Sequence, residues 1–449
     1  MQSQSSPQWS PDSIQDAITW LDSHIDFEKK SMLGPPPNAN PGGRLQRLGA
    51  LTELMDSPQK VFQTIHITGT NGKTSTSRMV SALLSALGFR SGQYTSPHLE
   101  RLNERICLDG EPIRDEDLAE ALHAVALLEP MLGDDKLSYF EIMTAAALRV
   151  FADAPIDVAA IEVGVGGTYD ATNIVDGQVA VVTNIGLDHT NYLGKTHRSI
   201  AENKAGIIKP GAVAVIGDEN PDLVDIWNAR DAGVVAMVNR DFGVESSRVA
   251  VGGRLATLRT PTALYEDVFV SLHGGFQSDN AVVALTAVEG LLGRSLDDSV
   301  VRAAFESVRS PGRLEIIHRQ PLMVVDGAHN SEGATSLKKA LSEDFAAFQN
   351  RILILGMLTP HDPKDFVESL GVKDFAAVFV TAPQWPRAIA PSELGDAVRA
   401  AGGNAIESPN VEAALATALG MADDEDLILA TGSLYLVGEL RAEARRRFT

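Results

Sequence analysis

A single cysteine, Cys107, stands in a chain of 449 residues. One thiol excludes an intrachain disulfide and a cysteine-ligated metal cluster, and it fits a reducing compartment. Basic residues are also scarce: 38 Lys and Arg face 59 Asp and Glu, a formal net charge of −21. That balance argues against a nucleic-acid backbone or an anionic membrane as the main partner. Anionic small substrates stay compatible, because a local site can be basic on an acidic surface. No run approaches the roughly 18 continuous apolar residues of a membrane span. The polar start, MQSQSSPQWSPDS, has no apolar core of the kind a secretory signal needs, so a cytoplasmic location is expected.

What remains is an ordinary globular composition, 44% hydrophobic and 22% charged, at a length that suits two or three domains. Strands and helices alternate along it. Ile14, Ile18, Leu21 and Ile25 follow helical spacing in 10–27, and the Pro/Gly run 32–43 reads as a loop before a short helix at 44–55. VFQTIHITG (61–69) reads as a strand, and KTSTSRMVSALLSALG (73–88) as a helix. IDVAAIEVG (156–164) and GQVAVVTNIG (177–186) are continuous apolar strands, as in a sheet covered on both faces. Near RSPGRLE (309–315) the alternation restarts, with strands in 322–330, 351–358, 376–383 and 427–433. Two α/β domains are therefore expected, 1–309 and 310–449, the first much the larger.

The chemistry starts at HITGTNGKTSTSR (66–78). Gly69 and Gly72 free backbone N–H groups to turn inward, Lys73 supplies charge, and Thr74 supplies a hydroxyl. The next helix adds its positive N-terminal end. A lone Gly-rich turn would be weak evidence. Strand, glycine loop, lysine and helix together point to a nucleotide phosphate site, although Gly69 lies closer to Gly72 than the usual phosphate-loop spacing.

Other polar groups fall at strand ends, where open α/β sheets bind ligands. Glu162 ends an apolar strand and is followed by a Gly-rich loop; a carboxylate there suits Mg²⁺. Asp188 and His189 follow the next strand. Ser96 and His98 lie in a Pro-bearing turn, and Lys204 in a mixed segment where a surface lysine is the plain reading. Asp326, His329 and Asn330 end a strand of the second domain. A site in a cleft between the domains is the simplest geometry.

Taken together, GTNGKTS (69–75), YTSPHLERLNERI (94–106), SYFEIMTAAAL (138–148), IEVGVGGTYDATN (161–173), LDHTNYLG (187–194), ENKAGIIKPG (202–211), PGRLE (311–315), DGAHN (326–330) and TGSLYLVGE (431–439) resemble the folate branch of the Mur-ligase superfamily. They come in that family's order and span nearly the whole chain. The resemblance implies a P-loop Mur-ligase-like domain with a mostly parallel sheet and a smaller Rossmann-like α/β domain. It implies ATP-dependent addition of L-glutamate to dihydropteroate, to reduced folates, or to both, through an acyl phosphate, by a monomer.

It also implies roles. Gly69, Thr70, Asn71, Gly72, Lys73, Thr74 and Ser75 would hold ATP phosphates, with Asn280, Arg313 and Asp326 as further ATP contacts. Ser96, Glu162 and His189 match magnesium ligands, two ions being expected. Lys204 matches a lysine carbamylated by CO₂; beside Mg²⁺ an anionic carbamate is a ligand where an ammonium would repel. Lys73, Lys204 and His189 form the catalytic set. Ser138, Phe140, Tyr169, Asp170 and Ala171 match the pterin region, and His329 and Ser433 the glutamate site. The stretch GMLTPHD (356–362) departs from the family by placing His361 where a lysine is common. Two other readings stay open: a different Mur-type amino-acid ligase, and a P-loop ATPase whose hydrolysis does not need glutamate.

Overall fold

The computed structural model describes residues 9–11, 13–29, 41–133 and 136–448. The first eight residues, and 32–40 of the expected Pro/Gly loop, lie outside the described residues.

Continuous apolar runs become the inner strands of a large sheet. Its strands are β1 (Gln63–Thr68), β2 (Ser91–Tyr94), β3 (Ile106–Leu108), β4 (Glu111–Pro112), β5 (Val158–Glu162), β6 (Val179–Val182), β7 (Val213–Ile216) and β8 (Val234–Met237). They lie in the order β4-β3-β2-β5-β1-β6-β7-β8, with the six from β2 to β8 parallel and β3 and β4 antiparallel. All of β5 and β6 is buried, because helices cover both faces. On one face Met79, Val80, Leu83 and Leu84 of helix Lys73–Ala86 pack with Ile65, Ile67 and Val181. On the other, Ile142, Met143 and Ala146 of helix Tyr139–Asp153 meet Ala159 and Ile161.

A second sheet holds β12 (Glu315–Arg319), β13 (Leu322–Val325), β14 (Arg351–Leu355), β15 (Ala377–Val380), β16 (Ala405–Glu407) and β17 (Leu427–Thr431). Its order is β12-β13-β17-β14-β15-β16, parallel except for β12. The expected mostly parallel α/β architecture is what forms. Between the two sheets in sequence lies an element not expected: an antiparallel sheet of β9 (Gly243–Ala250), β10 (Gly253–Arg259) and β11 (Leu264–Val270). Its central strand β10 alternates buried and half-buried residues, while β9 is largely exposed and β11 mixes buried with exposed ones, so none forms an apolar run.

Two local expectations change. The first helix runs only Ile14–Asp22, capped by Ser13, and Ile25 instead bridges to Ser138. The second helix starts at Pro41, not residue 44, since proline suits a first helical position. Among the described residues no helix is long and apolar enough to cross a membrane.

This topology places the site. β5, β1 and β6 are neighbours, so the turns after Thr68, Glu162 and Val182 open at one edge. β13, β17 and β14 are neighbours too, so the turns after Val325, Leu355 and Thr431 gather likewise.

Candidate active site between the two sheets

A cleft of about 560 Å³ separates those edges. Thr70, Asn71, Gly72, Lys73, Thr74 and Ser75 line one wall, together with Ser96, Glu162, His189 and Asn280. Arg313, Asp326 and His329 line the other. Gly69 lies just behind, around a small neighbouring cavity that includes Lys204.

The phosphate loop is tightly built. Gly69 has φ +153°, and a Cβ there would lie 1.8 Å from Thr183 Oγ1. That hydroxyl donates to the Asn71 carbonyl at 2.6 Å. Gly72 has φ +82°, and its Cβ would lie 2.4 Å from Asn280 Oδ1. Asn184 Oδ1 accepts from the amides of Thr70 (3.1 Å) and Asn71 (2.8 Å). Helix Lys73–Ala86 starts from Gly72 with no side-chain cap, so its first N–H groups have no side-chain acceptor at that end.

Two amines converge behind the loop. Lys73 Nζ donates to the carbonyls of Gly69 and Thr70, both at 3.0 Å, and Lys204 Nζ donates to Gly69 O at 2.7 Å. Burial pushes both below the usual lysine range. Lys204 falls well below it, because the charge of Lys73 adds to the burial.

Thr74 Oγ1 donates to both oxygens of Glu162 at 3.0 Å. Burial raises the Glu162 carboxyl, and the Lys73 charge opposes it. Among the described residues no group of three or more His, Cys, Asp or Glu is placed to hold a metal. Ser96, Glu162 and His189 offer one hydroxyl, one carboxylate and one imidazole on the same wall. A cation there would draw its remaining ligands from phosphate and water, a donor set that fits Mg²⁺.

On the facing wall Asp326 is fixed by main-chain donors, Leu314 N at 2.9 Å and Ala328 N at 2.8 Å. Burial raises its carboxyl, and Arg313 acts against that. His329 Nδ1 lies 2.8 Å from Gly327 O, and its Nε2 lies 3.7 Å from Asp188. His361 is brought in beside it, with ring centroids 5.0 Å apart and Nδ1 3.8 Å from Asp188. Burial alone would raise Asp188; the close imidazole of His329, with those of His189 and His361, holds it well below the carboxylate range. Asn330 joins the walls directly, donating to Asn71 Oδ1 (3.2 Å) and Asp188 Oδ2 (3.0 Å). Ser433 is buried and its hydroxyl accepts from Tyr435 N at 3.1 Å, which occupies it at the start of the last helix.

The residues matched to the pterin region stand apart from the cleft lining. Phe140 packs against Gly164, where a Cβ would meet its ring at 2.7 Å, and Gly164 does line the cleft. Asp170 Oδ2 accepts from Val165 N at 3.0 Å. Tyr169 is about half exposed, and Ala171 is buried. Ser138 is a helix cap: its hydroxyl donates to Glu141 at 2.6 Å and accepts from the Glu141 amide.

Residues 67–288 match the Mur ligase middle domain, and residues 312–434 match the Mur ligase, glutamate ligase domain. The chain is 40% identical over 368 residues to a dihydrofolate synthase/folylpolyglutamate synthase of Mycobacterium tuberculosis, covering 77% of this chain and 75% of that one. The chain belongs to the dihydrofolate synthase/folylpolyglutamate synthase family. The fold agrees. It is similar to a Mycobacterium tuberculosis folylpolyglutamate synthase complexed with ADP, with TM-score 0.89, 36% identity, and 96% and 98% of the two chains covered. It is also similar to a bifunctional folylpolyglutamate synthase/dihydrofolate synthase with Mn, AMPPNP and L-glutamate bound, with TM-score 0.83, 28% identity, and 98% and 100% covered.

For a chain of this synthase family, the sequence leaves two residues that build the site unmarked. Asn184 orders the phosphate loop and Thr183 fills the space beside Gly69, whereas Asn330, already marked as a strand-end polar group, bridges the walls. A lone Asn or Thr after a strand carries no spacing signal. Asn330 sits inside DGAHN, where its bonds to Asn71 and Asp188 depend on long-range folding.

Proposed function

We propose that this chain ligates L-glutamate, with ATP, to dihydropteroate, to the γ-carboxyl of reduced folates, or to both. One observation carries the reading: a single cleft is walled by a phosphate loop on one domain and by Arg313, Asp326 and His329 on the other. We place the domain boundary at 309/310 and treat the chain as a monomer.

A carboxylate and an amine do not form an amide at a useful rate at neutral pH. ATP phosphorylates the acceptor carboxylate, giving an acyl phosphate and ADP. The glutamate amine then attacks the carbonyl, and phosphate leaves. Lys73, the loop amides and the uncapped helix end lie where phosphoryl charge builds. Asn280, Arg313 and Asp326 hold the nucleotide, and the second wall keeps water from the acyl phosphate. His329 and Ser433 face the incoming glutamate, though Ser433 would have to keep its bond to Tyr435 N. Phe140, Tyr169, Asp170, Ala171 and the Ser138 turn receive the pterin.

Ser96, Glu162 and His189 would hold a divalent cation, with two Mg²⁺ ions expected in all. When bound, such ions neutralise phosphate charge. Lys204 is suited to carbamylation, because an amine with depressed basicity keeps the free lone pair that attacks CO₂. Intact mass in bicarbonate buffer should show one added CO₂, lost in Lys204→Ala.

The deciding experiment gives the protein MgATP and glutamate with dihydropteroate in one tube and tetrahydrofolate in another, with products read by mass spectrometry. Glutamate-extended product in both tubes means both activities; product in one assigns one step. ATP consumption with no product in either overturns the reading.

A further inference from the structure

β1 carries a histidine that the chemistry above does not use. His66 is fully buried, and its Nε2 lies 2.9 Å from Thr172 Oγ1. The same hydroxyl donates to Asp170 Oδ1 at 2.5 Å. A hydroxyl has one proton. Since Thr172 gives its proton to the carboxylate, it accepts from His66, which fixes the imidazole as the Nε2–H tautomer. His66 Nδ1 is then the bare nitrogen, and it has no partner among the described residues. Burial, reinforced by the nearby charge of Lys209, lowers this histidine to about 3, so the ring stays neutral at physiological pH. It is a constant donor, not a pH switch.

The chain of bonds has a destination. Asp170 is buried, and its Oδ1 also accepts the Thr172 amide at 3.0 Å. Its Oδ2 accepts Val165 N at 3.0 Å and lies beside Gly164, 3.2 Å from where a Cβ would stand. Gly164 in turn sits against the Phe140 ring and lines the cleft. The orientation of Asp170 therefore sets the backbone of the Gly164–Val165 turn. We infer that His66 is a positioning residue for the acceptor substrate, acting through Thr172 and Asp170 to hold the Gly164–Val165 turn against Phe140. This rests on the ligase reading above, in which Phe140 and Asp170, the two side chains against that turn, receive a flat, heteroaromatic acid.

The test uses His66→Leu, which cannot donate; His66→Gln, whose amide can; and Thr172→Val, which breaks the relay from outside the sheet. Amide hydrogen exchange over 163–172 is followed in the ligand-free protein, and KM is measured for the pterin acid and for ATP. His66→Leu and Thr172→Val should each speed exchange in that segment by roughly tenfold and raise KM for the acceptor by a similar factor, the loss of about one buried hydrogen bond. KM for ATP should stay within about twofold. His66→Gln should recover most of both effects, and the double variant should be no worse than the worse single, as one shared pathway requires. Unchanged exchange in Thr172→Val, an equal rise in KM for ATP, or a Gln variant as impaired as Leu each overturns the inference. Wild-type protein that extends no pterin acid sinks the ligase reading instead, and the exchange measurement still decides the relay.

Discussion

Two turns face each other across the cleft, and they are built alike. Each leaves the C-terminal end of a buried parallel strand and enters a helix: Gly69–Gly72 before Lys73–Ala86, and Asp326–Asn330 before Ser331–Glu343. They differ in how the helix begins. The first has glycine at its cap and no side-chain acceptor. The second has Asn330, whose side chain accepts from Gly333 N at 2.8 Å. One helix end is left open for an outside anion, and the other is already closed by its own chain. Their charges differ too: two crowded amines stand behind the first turn, while the second carries a carboxylate, a guanidinium and imidazoles. On the proposed ligase reading, phosphate belongs to the first turn, and the second serves as the wall that orients and covers it.

The largest effect should come from the open turn. Lys73→Ala should lower kcat by roughly 100- to 1,000-fold, as loss of a charge-stabilising donor does, with little change in thermal unfolding. Steady-state assay with circular dichroism melts checks both, and near-normal turnover would break the distinction. Gly72→Ala comes next. Its φ of +82° and the crowding by Asn280 should cost about 1–3 kcal/mol of stability and most of the nucleotide affinity, read by urea unfolding and ADP titration. Asn330→Ala removes the cap of the closed turn. It should cost at least about 1 kcal/mol of stability, since the bonds to Asn71 and Asp188 go with the cap, and Asn330→Ser should recover only the cap's share, read by urea unfolding.

The smallest effect lies away from both turns. Glu28 joins Arg105 in a two-pronged pair at 2.9 and 2.6 Å, while Tyr435 donates to its carboxylate at 3.3 Å. Trp385 and Arg387 donate to its carbonyl. Burial alone would raise the Glu28 carboxyl, but the Arg105 guanidinium holds it below 4.5. A carboxylate held low in the fold contributes stability that is complete above pH 4.5 and is lost as pH falls through its folded value. Glu28→Gln, which leaves the buried Arg105 without its counter-charge, should therefore unfold more easily than wild type near neutrality, with the gap closing in acid; urea midpoints across pH follow it.

Much of this arrangement was readable before folding. The phosphate loop announces itself by local spacing, and β5, β6, β14 and β17 by unbroken apolar runs. The β9–β11 sheet was not readable, because its strands show the mixed burial of a half-exposed ribbon and its pairing depends on distant segments. Serines were ambiguous for a different reason. Ser138 and Ser433 sit in motifs matched to substrate sites, yet each hydroxyl is engaged at a helix start; residue type cannot tell a cap from a ligand contact. His361 entered as a departure from the family pattern, and only the adjacency of β13 and β14 through β17 brought it beside His329 and Asp188.

With the proposed boundary at 309/310, the two walls share one covalent joint. Elsewhere they are held by hydrogen bonds such as those of Asn330, by Leu99 and Phe276 packed on the second core, and by ion pairs: Arg254 to Asp344 at 2.7 Å, Arg441 to Glu100 at 2.5 Å, and Arg445 to Glu100. A gene cut at that joint would give two fragments whose apolar cores are largely separate and which must find each other partly through charge. Their reassembly would slow as salt screens those pairs, which makes complementation between the halves a gauge of how firmly the cleft is closed.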